Sequence, residues 1–197
     1  SLPQLFTPEV RIRLDDLTQA LQVLLSKWTV TGNQREYYLA RNGANLELAF
    51  TTDGAVGTIT TISGAFTFVA DTEYHVAASR DGSNDIRLWV DGVQVGATSN
   101  DVSSIFAGTS PVFLGKYRDN GGDDVSMTGF LDEVRITTGK VQYAAGFTPT
   151  EPHPSVDQFN YEEFVNRIYE VTTAGTTAAI QPTYDTVAGN TTTDGGT

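Results

Sequence analysis

The sequence predicts an all-β protein, an antiparallel two-sheet jelly-roll sandwich with an extended C-terminal arm. Apolar and polar residues alternate with a period near two through residues 1–150, and Gly, Asn and Asp bound the runs. Ten phenylalanines and eight tyrosines against one methionine favour pleated strands. The helical crossovers of about a dozen residues that parallel strands need are missing from the pattern.

Ten short strands follow one another along the chain. The predicted ranges are Leu5–Leu14, Gln22–Trp28, Tyr37–Arg41, Leu46–Thr51, Gly57–Ile62, Thr72–Arg80, Asp85–Val90, Val93–Ala97, Val112–Tyr117 and Met127–Thr137. Such strands bury their apolar faces either as a closed barrel or as two stacked sheets. We favour the stacked sheets, because the last strand carries the signature of a bulge.

The clearest local signal is the pair Asp91-Gly92 between two alternating runs. Both residue types tolerate a positive φ angle, which a two-residue hairpin turn requires. With the preceding strand, which ends at Arg80, the two runs form a predicted three-stranded meander.

The last strand and its neighbours define the predicted core. Leu131 and Val134 are three positions apart, so both can face the core only if a bulge near Asp132 and Glu133 resets the alternation. Asp132 is then expected to bond to the backbone at the bulge, and Glu133 to be solvated. The residues assigned to a common core are Leu88, Val90, Phe113, Leu131 and Ile136.

A domain boundary is predicted near the three prolines of Pro149–Pro154, which cannot sit inside a sheet. Residues 1–150 then form the sandwich, and residues 151–197 form a Pro-rich linker and a Thr/Gly-rich arm. Because this arm has little apolar area to offset its ordering entropy, we expect it to act in assembly, by adding strands to a partner.

Composition excludes several classes of function. A net charge of −12 disfavours binding to nucleic acid and to anionic membranes. The chain has no cysteine, so disulfides and zinc–thiolate sites are excluded. No apolar run approaches the roughly 18 residues of a membrane-spanning helix, so membrane insertion is not expected. The chain carries no motif that requires a cofactor.

Four blocks in order carry a resemblance to a known family. They are Glu73–Gly82, Ile86–Gly96, Phe113–Gly115 and Gly129–Ile136. Together they resemble a laminin-G-like domain of the concanavalin A-like jelly-roll superfamily over about residues 5–150. The stretch Gly139–Pro149 is similar to the end of these domains in structural proteins of tailed bacteriophages. Ala179–Pro182 and Gly189–Gly195 resemble a short β motif of phage tail fibres and capsid appendages.

The resemblance implies a non-catalytic structural protein on the surface of a phage virion, as a capsid decoration, head-fibre or tail component. Its partners would be other virion proteins and copies of itself. The alternative is a glycan-binding adhesion module that attaches to glycans of the host surface and could use calcium to do so. A glycoside hydrolase is disfavoured, because glucanases of this fold place carboxylates two and five residues apart on one strand, whereas Asp132 and Glu133 are adjacent.

A calcium site is predicted in the acidic loop after the ninth strand, at Asp119, Asp123 and Asp124, because calcium prefers several oxygen ligands on a pliable backbone. The resemblance places calcium on this rim of laminin-G-like domains, with a second ligand that would fall in Gln34–Glu36. A solvated acidic turn is the competing interpretation.

Aromatic residues offer a second kind of site. Trp28, Tyr37 and Tyr38 could form a sugar-stacking patch, with one of the two tyrosines facing out and the other facing the core. For Trp28 and Trp89, packing in the core is the favoured interpretation. His75 and His153 are expected to be structural.

Overall fold

The computed structural model describes residues 4–119 and 125–149 of the chain. Within these ranges the strands are β1 (Phe6–Leu14), β2 (Leu21–Thr29), β3 (Gln34–Asn42), β4 (Asn45–Thr51), β5 (Ile59–Ala65), β6 (Glu73–Arg80), β7 (Asp85–Val90), β8 (Val93–Asn100), β9 (Phe113–Leu114), β10 (Lys116–Tyr117), β11 (Val125–Ser126) and β12 (Gly129–Thr138). A short 3-10 helix, Val56–Thr58, precedes β5. None of the helical structure described is long and apolar enough to cross a membrane.

The strands form two five-stranded antiparallel sheets, which confirms the predicted fold class. Sheet A has the order β12-β1-β6-β7-β8, and sheet B has the order β5-β4-β3-β2-β9. Strands β10 and β11 pair as a separate two-stranded ribbon. The predicted meander is β6-β7-β8, and its Asp91-Gly92 turn has φ angles of 49° and 77°, as a two-residue hairpin requires.

The core lies between the two sheets and follows from the alternation within each strand. Ile12 and Leu14 of β1 face Leu39 of β3 and Leu48 of β4 in one fully buried cluster. Each such aliphatic side chain contributes about 1.5–3 kcal/mol when it leaves water. Apolar residues at every second position therefore drive the two sheets together.

The predicted core is confirmed in four of its five residues. Leu88 and Val90 are buried, and Leu131 and Ile136 pack against the core while partly buried. Phe113 was predicted wrongly. Gly115 takes a φ of 72° and divides the expected strand into β9 and β10. Phe113 therefore stays partly exposed outside the core cluster. The centroid of its ring lies 5.8 Å from the Lys116 Nζ atom and 5.5 Å from the Arg118 Cζ atom.

The bulge in β12 lies where the sequence predicts it. Glu9 pairs with Arg135 and Arg11 pairs with Asp132, so two residues of β12 oppose one residue of β1. Glu133 takes a φ of 49°, and its backbone N–H donates to the Asp132 carboxylate at 2.8 Å. Glu133 is not solvated, contrary to the prediction, because it accepts a hydrogen bond from the Arg11 Nε atom at 2.8 Å. This ion pair explains why the side chain folds back onto β1.

Residues 139–149, here called the strap, follow β12 and lie across the outer face of sheet A. Ser79 donates to the carbonyl of Tyr143 at 2.7 Å, and the N–H of Phe147 donates to the carbonyl of Gly92 at 3.0 Å. The strap belongs to the same compact unit as the sandwich.

The arm predicted over residues 151–197 lies outside the described residues, together with the two short motifs and His153. Its role in assembly therefore stays a prediction.

Candidate functional site

Three aromatic side chains meet on the outer face of sheet B, and we call them the aromatic cluster: Trp28 of β2, Tyr38 of β3 and Tyr117 of β10. Trp28 and Tyr38 pack edge to face with ring centroids 4.9 Å apart. Tyr38 and Tyr117 stack with centroids 5.8 Å apart and an interplanar angle of 29°. Trp28 is almost fully buried, whereas both tyrosines keep part of their surface in solvent. The cluster therefore presents two phenol rings on a tryptophan support.

Strand alternation explains how Tyr38 reaches this face. Tyr37 and Leu39 point into the core, so Tyr38 between them points outward. Tyr117 is held over the sheet by the chain on either side of it. The Ser26 hydroxyl donates to the carbonyl of Lys116 at 2.7 Å, and the N–H of Arg118 donates to the carbonyl of Trp28 at 3.2 Å. These two bonds fix the position of the tyrosine ring relative to β2.

Charged groups surround the two phenols. Burial, the Glu47 carboxylate and Tyr117 raise the pKa of Tyr38 to about 12. Burial and Asp119 raise the pKa of Tyr117, and Arg35 opposes this effect. Both hydroxyls are therefore neutral at physiological pH, when each can donate one hydrogen bond and accept others.

Two of these charged groups are oriented by polar neighbours. Glu47 accepts a hydrogen bond from Asn42 at 3.1 Å. Arg35 donates to the side chain of Asn33 at 2.8 Å and to the carbonyl of Gly54 at 3.0 Å. The arrangement combines aromatic faces with fixed carboxylate, amide and guanidinium groups. Such a combination suits a ligand that has one apolar face and a rim of hydroxyl groups.

The outer face of sheet A also carries aromatic residues, but the strap covers them. The rings of Tyr143 and Phe147 stack 3.5 Å apart, and Phe147 lies 5.6 Å from the fully buried Trp89. A groove of about 570 Å³ opens between the β7–β8 turn and the strap. Because Trp89 is 1% exposed, it offers no ring face to a ligand in this groove. The aromatic cluster of sheet B is therefore the stronger candidate.

The predicted aromatic patch is reproduced in part. As predicted, one of Tyr37 and Tyr38 faces the core and the other faces out. Trp28 and Trp89 are buried, as was favoured, and each packs under other aromatic rings on the outer face of its sheet rather than between the sheets. Tyr117 was missed. Its signal is the alternation around it, since a tyrosine between Lys116 and Arg118 must point away from both.

The predicted calcium loop stays a prediction. Asp119 is described and has electrostatic contact with Tyr117, whereas Asp123 and Asp124 lie outside the described residues. In the predicted second ligand segment, Gln34 binds Thr109 and the fully buried Glu36 binds Lys27 and the N–H of Gly108. No group of three metal-ligating side chains occurs within residues 4–119 and 125–149.

The remaining candidates serve other roles. Asp132 and Glu133 bind backbone and Arg11 on sheet A, so they do not form a facing pair of carboxylates. His75 lies in a buried network in which its Nε2 atom is 2.9 Å from the Glu9 carboxylate. This carboxylate also accepts hydrogen bonds from Arg135 and, at 2.5 Å, from the hydroxyl of Tyr143.

Comparisons with known proteins give a family and a set of similar folds. The family model of the concanavalin A-like lectin/glucanases superfamily matches residues 2–142. No curated protein sequence gives a significant match.

Three solved structures illustrate the similarity of fold. The CBM40 of Ruminococcus gnavus IT-sialidase, bound to α2,3-sialyllactose, has a TM-score of 0.58 and 18% identity over 68% of this chain and 76% of that one. A Bacteroides ovatus protein assigned to carbohydrate binding has a TM-score of 0.53 and 19% identity over 75% and 39% of the two chains. Domain 4 of a Geobacillus stearothermophilus arabinanase, in complex with arabinotriose, has a TM-score of 0.50 and 13% identity over 72% and 64%.

Proposed function

The chain belongs to the concanavalin A-like lectin/glucanases superfamily, and on that premise we propose that it is a non-catalytic carbohydrate-binding module. The observation that carries the proposal is the stacked pair of Tyr38 and Tyr117, partly exposed over Trp28. A pyranose or furanose ring would lay its apolar face on this pair. Its hydroxyls would then meet the two phenols, and the buried charges of Glu47 and Arg35 would act on them from below.

The solved relatives support this alternative over the virion role. The three named above are sugar-binding domains or proteins by their descriptions, and two of them hold an oligosaccharide. A structural role in a phage particle, a position on its surface and virion partners stay predictions from the sequence. Attachment to a host-surface glycan is compatible with both roles.

The site also bears on the class of sugar. The net charge of −12 repels acidic glycans at long range, but the Arg35 guanidinium lies close enough to Tyr117 to oppose the rise in its pKa. A guanidinium group pairs well with a carboxylate. We propose that the site accepts an oligosaccharide with a terminal acidic sugar in preference to its neutral counterpart.

The direct test is calorimetry of the full chain with 3′-sialyllactose, lactose and arabinotriose. Tyr117→Ala is expected to weaken binding at least about tenfold, since central aromatic anchors contribute about 2 kcal/mol or more. Phe130→Ala is the matched control, because Phe130 is an exposed aromatic residue on β12, away from the cluster. Equal loss in both variants, or binding to none of the three sugars, would contradict the proposal.

A further inference from the structure

Each sheet ends in two edge strands, and these edges differ in how they are protected. Sheet A ends in β12 and β8, and sheet B ends in β5 and β9. An edge strand exposes unpaired backbone N–H and C=O groups that can pair with another chain. Soluble proteins block such edges with charges, prolines, bulges or very short strands.

Three of the four edges carry these protections. Strand β12 has the bulge at Glu133 and three charged residues. Strand β8 departs from regular pairing between Ile86 and Leu88 of its partner, where Gly96 takes a φ of 74°. Strand β9 has two residues and lies between Pro111 and Lys116.

Strand β5 has none of these protections. Ile59 to Ala65 pair with β4 in seven consecutive register positions without interruption. From Gly54 through Ala70 no residue is charged, although charged residues make up 18% of the chain. The strand is rich in Ile and Thr, which favour pairing. A regular, uncharged edge of this kind is an aggregation hazard unless a specific partner covers it.

One end of this edge is already occupied. A Cβ atom on Gly64 would lie 2.5 Å from the carbonyl oxygen of Val95, so the two edge strands β5 and β8 meet there. Ile59, Thr61 and Ser63 are exposed. Within residues 4–119 and 125–149, the part of the edge that no other segment pairs with is therefore Ile59–Ser63.

We infer that strand β5 is a self-association edge, through which a second copy of this chain pairs antiparallel about a two-fold axis at Thr61. Thr61 of one copy then lies opposite Thr61 of the other, and Ile59 of each copy lies opposite Ser63 of the other. A second copy fits this edge because pairing it with itself places no like charges opposite each other, whereas the rest of a chain with a net charge of −12 repels its copy. An antiparallel edge that pairs with itself also closes as a symmetric dimer rather than as a fibre.

The pairing joins the five strands of sheet B in one copy to the five in the other. The two-fold axis is perpendicular to the joined sheet, so both aromatic clusters lie on the same side. A ligand with repeated sugars could then engage two sites at once, which raises avidity without any new contact. Self-association itself does not depend on the proposed sugar binding, and the tests below do not use a sugar.

The first test is sedimentation equilibrium of the full chain, where a dimer is expected at micromolar concentrations. Thr61→Lys with Ser63→Lys places like charges along the paired edge and is expected to raise the dimer dissociation constant at least tenfold. Ala97→Lys with Thr98→Lys is the control, because it adds the same charge to the exposed, irregular part of β8. A monomer at 100 µM, or equal dissociation constants for the two variants, would overturn the inference.

A second test does not depend on how lysines affect folding. The chain has no cysteine, so a single Thr61→Cys variant can form a disulfide only with another copy. Cα atoms directly opposite each other in an antiparallel pair are about 4.5–5.5 Å apart, within disulfide range. Mild oxidation is expected to give a covalent dimer with Thr61→Cys and none with Ala97→Cys. Equal cross-linking at both positions, or none at Thr61, would count against the edge.

Discussion

The outer faces of the two sheets carry similar residues but differ in what covers them. On sheet A, Trp89 and His75 lie under the strap, whose Tyr143 and Phe147 rings complete a buried aromatic stack. On sheet B, Trp28 lies under Tyr38 and Tyr117, and both tyrosines stay partly exposed. The same side-chain types therefore hold the fold together on one face and, on the other, form the site that we propose for a ligand. Residue type does not decide between a structural and a binding role. What decides is whether another segment of the chain covers the aromatic rings.

The largest expected effect tests the structural face. Trp89 is fully buried, and its indole N–H donates to the hydroxyl of Ser79 at 2.9 Å. Trp89→Ala should lower the free energy of unfolding by about 3–5 kcal/mol, because it opens a cavity and leaves Ser79 without this donor. Urea unfolding followed by circular dichroism measures the loss.

The matched control for this prediction is Val93→Ala in the same hairpin, where the side chain is 66% exposed. Its expected effect is within about 0.5 kcal/mol. A loss below about 1 kcal/mol in Trp89→Ala would show that the strap and Trp89 do not stabilise the sandwich together.

The second effect tests the charge under the strap. Burial raises the pKa of Glu9, but hydrogen bonds from His75, Arg135 and Tyr143 outweigh it and lower the pKa from 4.5 to about 2. The unfolded chain therefore binds more protons than the folded chain as acid is added. Stability from Glu9 is complete above about pH 5 and is lost as the pH falls to about 2, by about 3 kcal/mol in total.

Glu9→Gln should flatten the pH dependence of unfolding between pH 5 and pH 2, when urea midpoints are compared across that range. Glu73→Gln is the control, because Glu73 also pairs with an arginine but its side chain is 64% exposed. Exposed pairs contribute less than about 1 kcal/mol. Identical profiles for Glu9→Gln and the unsubstituted chain would refute the assignment of acid sensitivity to this carboxylate.

The sequence predicts the framework of this molecule better than its details, for physical reasons. Alternation identifies Leu88 and Val90 as core residues, because period-two patterning follows directly from the pleat. Asp91-Gly92 and the bulge near Asp132 are also confirmed, since both rest on local backbone rules. These predictions need no knowledge of distant residues.

The errors concern one local break in a strand and several contacts between distant segments. Phe113 looks like a core residue until Gly115 breaks the strand, and Glu133 looks solvated until Arg11 of β1 lies beside it. Tyr117 joins Trp28 and Tyr38 only because the chain from β9 to β10 runs along β2. Local alternation cannot indicate which strand will be a neighbour 89 residues away, as Tyr117 is from Trp28.

The smallest expected effect concerns the proposed binding face of sheet B. The pKa of Tyr38 is about 12, raised from 10 by burial, by Glu47 and by Tyr117, so its hydroxyl keeps its proton well above neutral pH. If this phenol donates to a sugar hydroxyl, affinity should change less than about twofold between pH 7 and pH 10. Ordinary tyrosines are half ionised at pH 10, and a phenolate beside Glu47 would lose its donor. Calorimetry at both pH values measures this change in affinity, and absorbance at 295 nm follows the ionisation of tyrosine.

Tyr38→Phe is the control, because it keeps the ring and removes the titrating group. A fall in affinity by pH 10 that Tyr38→Phe abolishes would mean that the Tyr38 hydroxyl is more exposed than the stacked pair implies.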